Sequence, residues 1–159
     1  MTRSDPATRA WDMLESFRFC MLVTQAEGRP HARPMSHIAM RDERLLYILT
    51  DRTSASAREI AAHSDVLLTF TDGGNSFLSL AARATISADR ALVRRLWNTG
   101  AQAFWPEGPE QPNVVALVIE PQAAEYWDGP NALVAGVKLA LAAMTGSTPD
   151  FGENRKTPL

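Results

Sequence analysis

Three histidines, one cysteine and eighteen Asp and Glu side chains are what this 159-residue chain offers to a metal, a nucleophilic reaction or a proton transfer. His31 and His37 are the two histidines near each other, and six residues of extended chain separate them by about 20 Å, too far to share a metal ion. Cys20 stands in the apolar run Phe19-Cys-Met-Leu-Val23. A buried, inert thiol is expected there, and a lone cysteine forms no intramolecular disulfide, which suits a reducing cytoplasm. His-Glu-x-x-His, Cys-x-x-Cys, Gly-x-x-x-x-Gly-Lys-Ser/Thr and Gly-x-Ser-x-Gly are all missing, so zinc hydrolysis, P-loop chemistry and a serine elbow have no footing. The carboxylates stand singly or in turns, as Asp42-Glu43 does, and none marks an acid/base pair; the catalytic residues are therefore left unassigned.

What the sequence does offer is equipment for holding an anion. Of sixteen basic residues only Lys138 and Lys156 are lysines, so a phosphate would be met by forked arginines rather than point charges. The whole chain is nonetheless slightly acidic, with net charge −2 and a sequence pI of about 5.9. That balance argues against the basic footprint needed by nucleic acid or an anionic membrane surface. The polar N-terminal stretch lacks a signal-like apolar core, and the run Ala132 to Met144 is too short to span a bilayer, so a soluble protein is expected.

The elements that must position these groups read as mostly β. Asp5 and Pro6 look like the cap and first position of a helix whose Ala10, Trp11, Leu14 and Phe17 follow helical spacing. Extended segments follow from Arg18 to Thr24, through Met40 after the Glu27-Gly-Arg-Pro30 turn, and over Leu45 to Thr50; short turns between them predict an antiparallel meander. Ser54 to His63 reads as a short helix, Val66 to Thr71 and Phe77 to Ser87 as a hairpin around Asp72-Gly-Gly-Asn75, and Asp89 to Trp97 as a helix. Phe104 to Pro112 is a proline-dense loop, Asn113 to Glu120 a strand, and Glu125 to Asp128 a further strand after Pro121. Asn131 would cap a C-terminal helix carrying Leu133, Val134, Val137 and Leu141 on one face. The expectation is one closed or nearly closed barrel domain over residues 1–147, with 148–159 as a polar tail. Trp97 and Trp127 are expected in the core.

Five segments recur in a telling order: Ala32-Arg-Pro-Met35, Leu49-Thr-Asp-Arg-Thr-Ser54, Leu78-Ser-Leu-Ala-Ala-Arg-Ala84, Leu96-Trp-Asn98 with Ala103-Phe-Trp-Pro-Glu-Gly108, and Ala124-Glu-Tyr-Trp-Asp128. Together they resemble the general stress proteins of the pyridoxamine 5'-phosphate oxidase-like, FMN-binding split-barrel superfamily, from the first helix to about Asp128, with Gly152-Glu-Asn154 matching in the tail. The resemblance implies a six-stranded antiparallel split β-barrel with N- and C-terminal helices. It also implies a homodimer with an FMN in each of two clefts between subunits, and an FMN-dependent oxidoreductase acting on a small molecule. By the same resemblance Arg33 would meet the flavin phosphate, Pro34 and Met35 would line the ring with their backbone, and Leu49, Thr50 and Ser54 would contact ring edge, ribityl chain or phosphate. Phe77 and Trp105 are either ring neighbours or core and interface aromatics. An Arg and donors at a helix start are what a phosphate wants on physical grounds too.

The pattern also departs from the family. A basic residue usual two positions after Ser54 is Ser56 here, and the position before it is Ala55; Arg52 and Arg58 are the available substitutes. Ala82 replaces a usual glycine. These departures support a second reading, a non-catalytic flavin-binding or ligand-sensing relative with weakened FMN affinity, and superfamily analogy adds haem or a deazaflavin as a third. Arg33 as a solvated strand residue, and Thr50 and Ser54 as a turn and a helix cap, are equally compatible with the residues alone.

Overall fold

A computed structural model describes residues 5–129, 132–146, 148 and 153–159. The chain opens with α1 (Pro6–Ser16), started by Pro6 in the first turn and by Asp5, whose carboxylate accepts from the Thr8 amide at 3.2 Å; such a cap satisfies one of the free amides of a helix start. Strands β1 (Phe19–Ala26) and β2 (Arg29–Ser36) form a hairpin whose two loop residues, Glu27 and Gly28, have φ of 52° and 73°. Positive φ at both positions gives the turn whose twist matches the flanking strands. Then come β3 (Ile38–Met40), β4 (Leu45–Asp51) and α2 (Ala55–Ala62), followed by the hairpin β5 (Asp65–Thr71) and β6 (Ser76–Ser87). Helices α3 (Arg90–Leu96) and α4 (Thr99–Phe104) lead to β7 (Val114–Asp128), α5 (Ala132–Thr145) and β8 (Glu153–Pro158).

The strands run β2-β1-β5-β6-β7-β4-β3, with β8 added to β7. The two ends of that order, β2 and β3, are consecutive in the chain with His37 alone between them. The sheet must therefore curl until its ends meet, which makes it a split barrel. Its interior is filled by side chains that alternate inward, among them Leu22, Leu46, Leu68, Leu80, Leu117 and Ile119, all essentially without exposure. α1 closes one end with Ala10, Trp11, Met13 and Leu14.

Several expectations need correction. Segments 19–50 pair antiparallel in chain order, β1 with β2 and β3 with β4, but the middle segment breaks at His37, and β4 gives its other edge to β7 from Leu46↔Ile119 to Asp51↔Val114. Pro121 does not divide two strands; β7 runs through it, and the register with β6 shifts between Ala81 and Ala82 so that Gln122 is left over. A bulge is where a residue without an amide hydrogen is tolerated in a sheet. The expected polar tail contains β8, in register with β7 from Ala123↔Pro158 to Asp128↔Glu153, and β8 together with the division of the second extended segment into β2 and β3 raises the strand count from six to eight. Trp127 is 40% exposed rather than core, and Trp97 is half-buried. The Asn131 cap lies outside the described residues.

Candidate functional site

Alternation along β2 decides which side of the barrel wall each expected site residue occupies. Arg33 and Met35 stand opposite the buried Leu22 and Cys20, whereas Pro34 stands opposite the exposed Met21. Directly opposed residues of an antiparallel pair share a face, so Arg33 and Met35 face inward and Pro34 faces out.

On the outer face Pro34 joins Phe19, Met21, Phe77 and Trp127 around a groove of about 600 Å³ that Thr69 and Ser79 also line. Phe77 is 47% exposed there. An uncovered aromatic and aliphatic surface of this kind marks a place where something apolar is bound. Cys20 borders the groove with its thiol buried, and burial pushes its pKa up to about 12; it is not a nucleophile.

A second group gathers where β4 runs into α2. Asp51 organises the turn: its Oδ1 accepts from the Thr53 amide and hydroxyl, each at 2.7 Å, and its Oδ2 from Asn113 Nδ2 at 2.6 Å. These bonds lower the Asp51 pKa, the Asn113 bond most. Beyond the turn Ser54 caps α2, its Oγ accepting from the Ala57 amide at 3.2 Å, and it is joined by Thr50 Oγ1 at 3.3 Å and Ser56 Oγ at 3.0 Å. The result is a row of three hydroxyls at a helix start, which suits a phosphate. Arg52 is exposed on the same turn, while Arg58 donates back to the Thr53 carbonyl.

A third group lies between β1, β2 and α2. Arg33 Nη2 donates to Glu59 Oε2 at 2.7 Å and to Thr24 Oγ1 at 2.8 Å, and Thr24 Oγ1 in turn donates to Glu59. His31 Nδ1 is 3.0 Å from the other Glu59 oxygen. The Thr24 and Arg33 hydrogen bonds hold the Glu59 pKa down to about 2. Opposite partners that bond the charged form do this to a carboxyl.

Of the expected residues, then, Pro34 and Phe77 meet in the groove, and Thr50, Ser54 and Ser56 meet at α2 with Arg52 beside them. Arg33 belongs to the Glu59 cluster, and Met35 packs on the core. Leu49 packs in a small cluster with Tyr47, Leu96 and Ala116. Trp105 stands apart, 6.2 Å from Trp97 and 6.0 Å from Phe104 between ring centroids. Glu59, Thr24, His31 and Trp127 were not foreseen. The register Thr24↔His31 and Leu22↔Arg33 puts His31 and Arg33 on one face, and the spacing of two between them was the available signal.

Residues 5–150 match the family described as Pyridoxamine 5'-phosphate oxidase like. The chain belongs to that family. General stress protein 26 of Bacillus subtilis is 29% identical over 126 residues, 77% of this chain and 88% of the relative. A solved general stress protein 26 from a Jannaschia species superposes with a TM-score of 0.77 at 26% identity, covering 99% of this chain and 100% of its own. The general stress FMN/FAD binding protein of Xanthomonas citri superposes with a TM-score of 0.69 at 28% identity, covering 82% of this chain and 93% of its own. The groove and the hydroxyl row are therefore features of a pyridoxamine 5'-phosphate oxidase-like split barrel. Taken separately, the first offers an aromatic and aliphatic wall to an apolar group, and the second offers hydroxyl and arginine donors to an anion.

Proposed function

We propose that this protein binds FMN and is a flavin-dependent oxidoreductase of a small molecule, working as a cytoplasmic homodimer with each flavin in a cleft between subunits. The observation that carries the reading is the uncovered groove formed by Pro34, Phe77 and Trp127 on the outer sheet face, which leaves an apolar wall for a ring and for a second copy to cover. The FMN/FAD binding protein of Xanthomonas citri, at 28% identity, supports the choice of ligand. Thr50, Ser54 and Arg52 would hold the phosphate end, with the buried Ser56 bracing Ser54 from behind, and Trp105 would reach a flavin across the dimer. Bound flavin would supply the electron chemistry; the chain would bind and orient it and keep water from the ring. Among the described residues no helix is long and apolar enough to cross a membrane, and no cluster of His, Cys, Asp and Glu could hold a metal.

A second reading, a non-catalytic relative with weak flavin binding, draws on one observation. Ser56, where the family usually carries a cation, is 1% exposed and hydrogen-bonded to Ser54, so the phosphate end has one charge fewer. The visible spectrum of the purified protein and a fluorescence titration with FMN test both. Saturable quenching at micromolar FMN together with turnover of an added electron donor is expected. Quenching without turnover favours the second reading, and a colourless protein without quenching refutes flavin binding; haem or a deazaflavin would announce itself by its own absorption bands.

A further inference from the structure

The one arginine that the family pattern directs at a phosphate is already engaged. Arg33 Nη2 serves both Glu59 Oε2 and Thr24 Oγ1, while Nη1 is covered by protein and has no hydrogen-bond partner. A guanidinium held in this way has no pair of parallel N–H groups open to an incoming anion, which is what bidentate recognition requires. Glu59 is a strong rival for it. Its side chain is 12% exposed, it accepts from the Thr24 hydroxyl, and it stays ionised at all ordinary pH.

We propose that Glu59 is an internal competitor for Arg33: a phosphate-bearing ligand gains the Arg33 guanidinium only by displacing the Glu59 carboxylate, so this ion pair sets the site's preference for a phosphorylated ligand over its unphosphorylated form. The exchange can occur because Glu59 is not stranded by it. Thr24 remains on Oε2 and His31 on Oε1 when Arg33 swings away, whereas a part-buried carboxylate losing every partner would resist release. The proposal rests on the flavin reading and adds a residue that tunes it.

FMN and riboflavin, which differ by the phosphate alone, are the probes, and flavin fluorescence gives the readout. Glu59→Gln keeps the shape and removes the charge; it should tighten FMN by about tenfold or more, the scale of one charge-assisted hydrogen bond, and leave riboflavin unchanged. Thr24→Val, nearly isosteric, removes the bond that keeps Glu59 satisfied when Arg33 leaves and should act in the opposite direction, weakening FMN with riboflavin unchanged, which gives a second readout should the Glu59 variant not fold. Arg33→Gln should abolish the gain when combined with Glu59→Gln. FMN affinity that is unchanged or weaker in Glu59→Gln, or unchanged or tighter in Thr24→Val, with the parent protein binding FMN, overturns the proposal and leaves the flavin reading intact. Binding of neither flavin by parent or variants overturns both.

Discussion

His37 Nε2 donates to the Leu14 carbonyl oxygen at 2.9 Å, tying α1 to the residue that links the two ends of the barrel sheet. The ring is buried, meets Phe70 edge-on at 4.9 Å between centroids, and leaves Nδ1 without a partner. Burial lowers its pKa, outweighing the Leu14 bond, which raises it. The unfolded chain then binds a proton at a higher pH than the folded one, so stability falls as pH drops below the ordinary histidine value. The thermal midpoint should decline between about pH 7 and pH 5, and His37→Gln, which keeps a donor for Leu14, should flatten that slope.

Glu43 acts in the same direction over a more acidic range. Hydrogen bonds from Arg95 and Tyr47 hold its pKa at about 2, against 4.5 unperturbed. Its contribution is present above the unperturbed value and is lost as pH falls toward the folded one. Urea midpoints recorded from neutral pH down through this range should fall less steeply for Glu43→Gln than for the parent protein.

Leu80 is fully buried and stands between Leu68 of β5 and Ala124 of β7. Leu80→Ala opens a cavity in the centre of the barrel and should cost about 2–5 kcal/mol in equilibrium urea unfolding.

Ser54 serves helix and hydroxyl row together. Ser54→Ala should remove about 1 kcal/mol of stability through the lost cap and weaken FMN relative to riboflavin. Ala55 next to it is exposed, so Ala55→Arg should add a phosphate partner and tighten FMN by about tenfold without loss of stability. Ser56→Lys should instead lower the melting temperature, because that position is closed to solvent.

Phe77 tests whether a second copy covers the groove. Light scattering after size exclusion should report a dimer for the parent protein, and Phe77→Asp, which places a charge on the apolar wall, should report a monomer.

Hairpins and caps were legible in the sequence because their causes are local: Glu27-Gly28 for the first turn, Asp5 and Ser54 for two helix starts. The partner on the other edge of β4 was not, since β4 meets β7 across the 62 residues between Asp51 and Val114 and only barrel closure brings them together. Pro121 misled for a related reason, because the bulge that tolerates it is made jointly with β6. At the site, the residue types were legible and their partners were not. Arg33 reads as an anion ligand until α2, docked on β1, delivers Glu59 to it from 26 residues away.

β8 occupies the side of β7 that β4 leaves bare. β4 covers Val114 to Ile119, and β8 takes up the ladder again at Ala123 and carries it to Asp128. Without that last segment six residues rich in alanine and aromatics would present unpaired amides and carbonyls, a template on which other chains add strands and aggregate. The closing strand is therefore a guard on solubility: shortening the chain at its C-terminal end should leave the barrel interior intact and make the protein stick to itself.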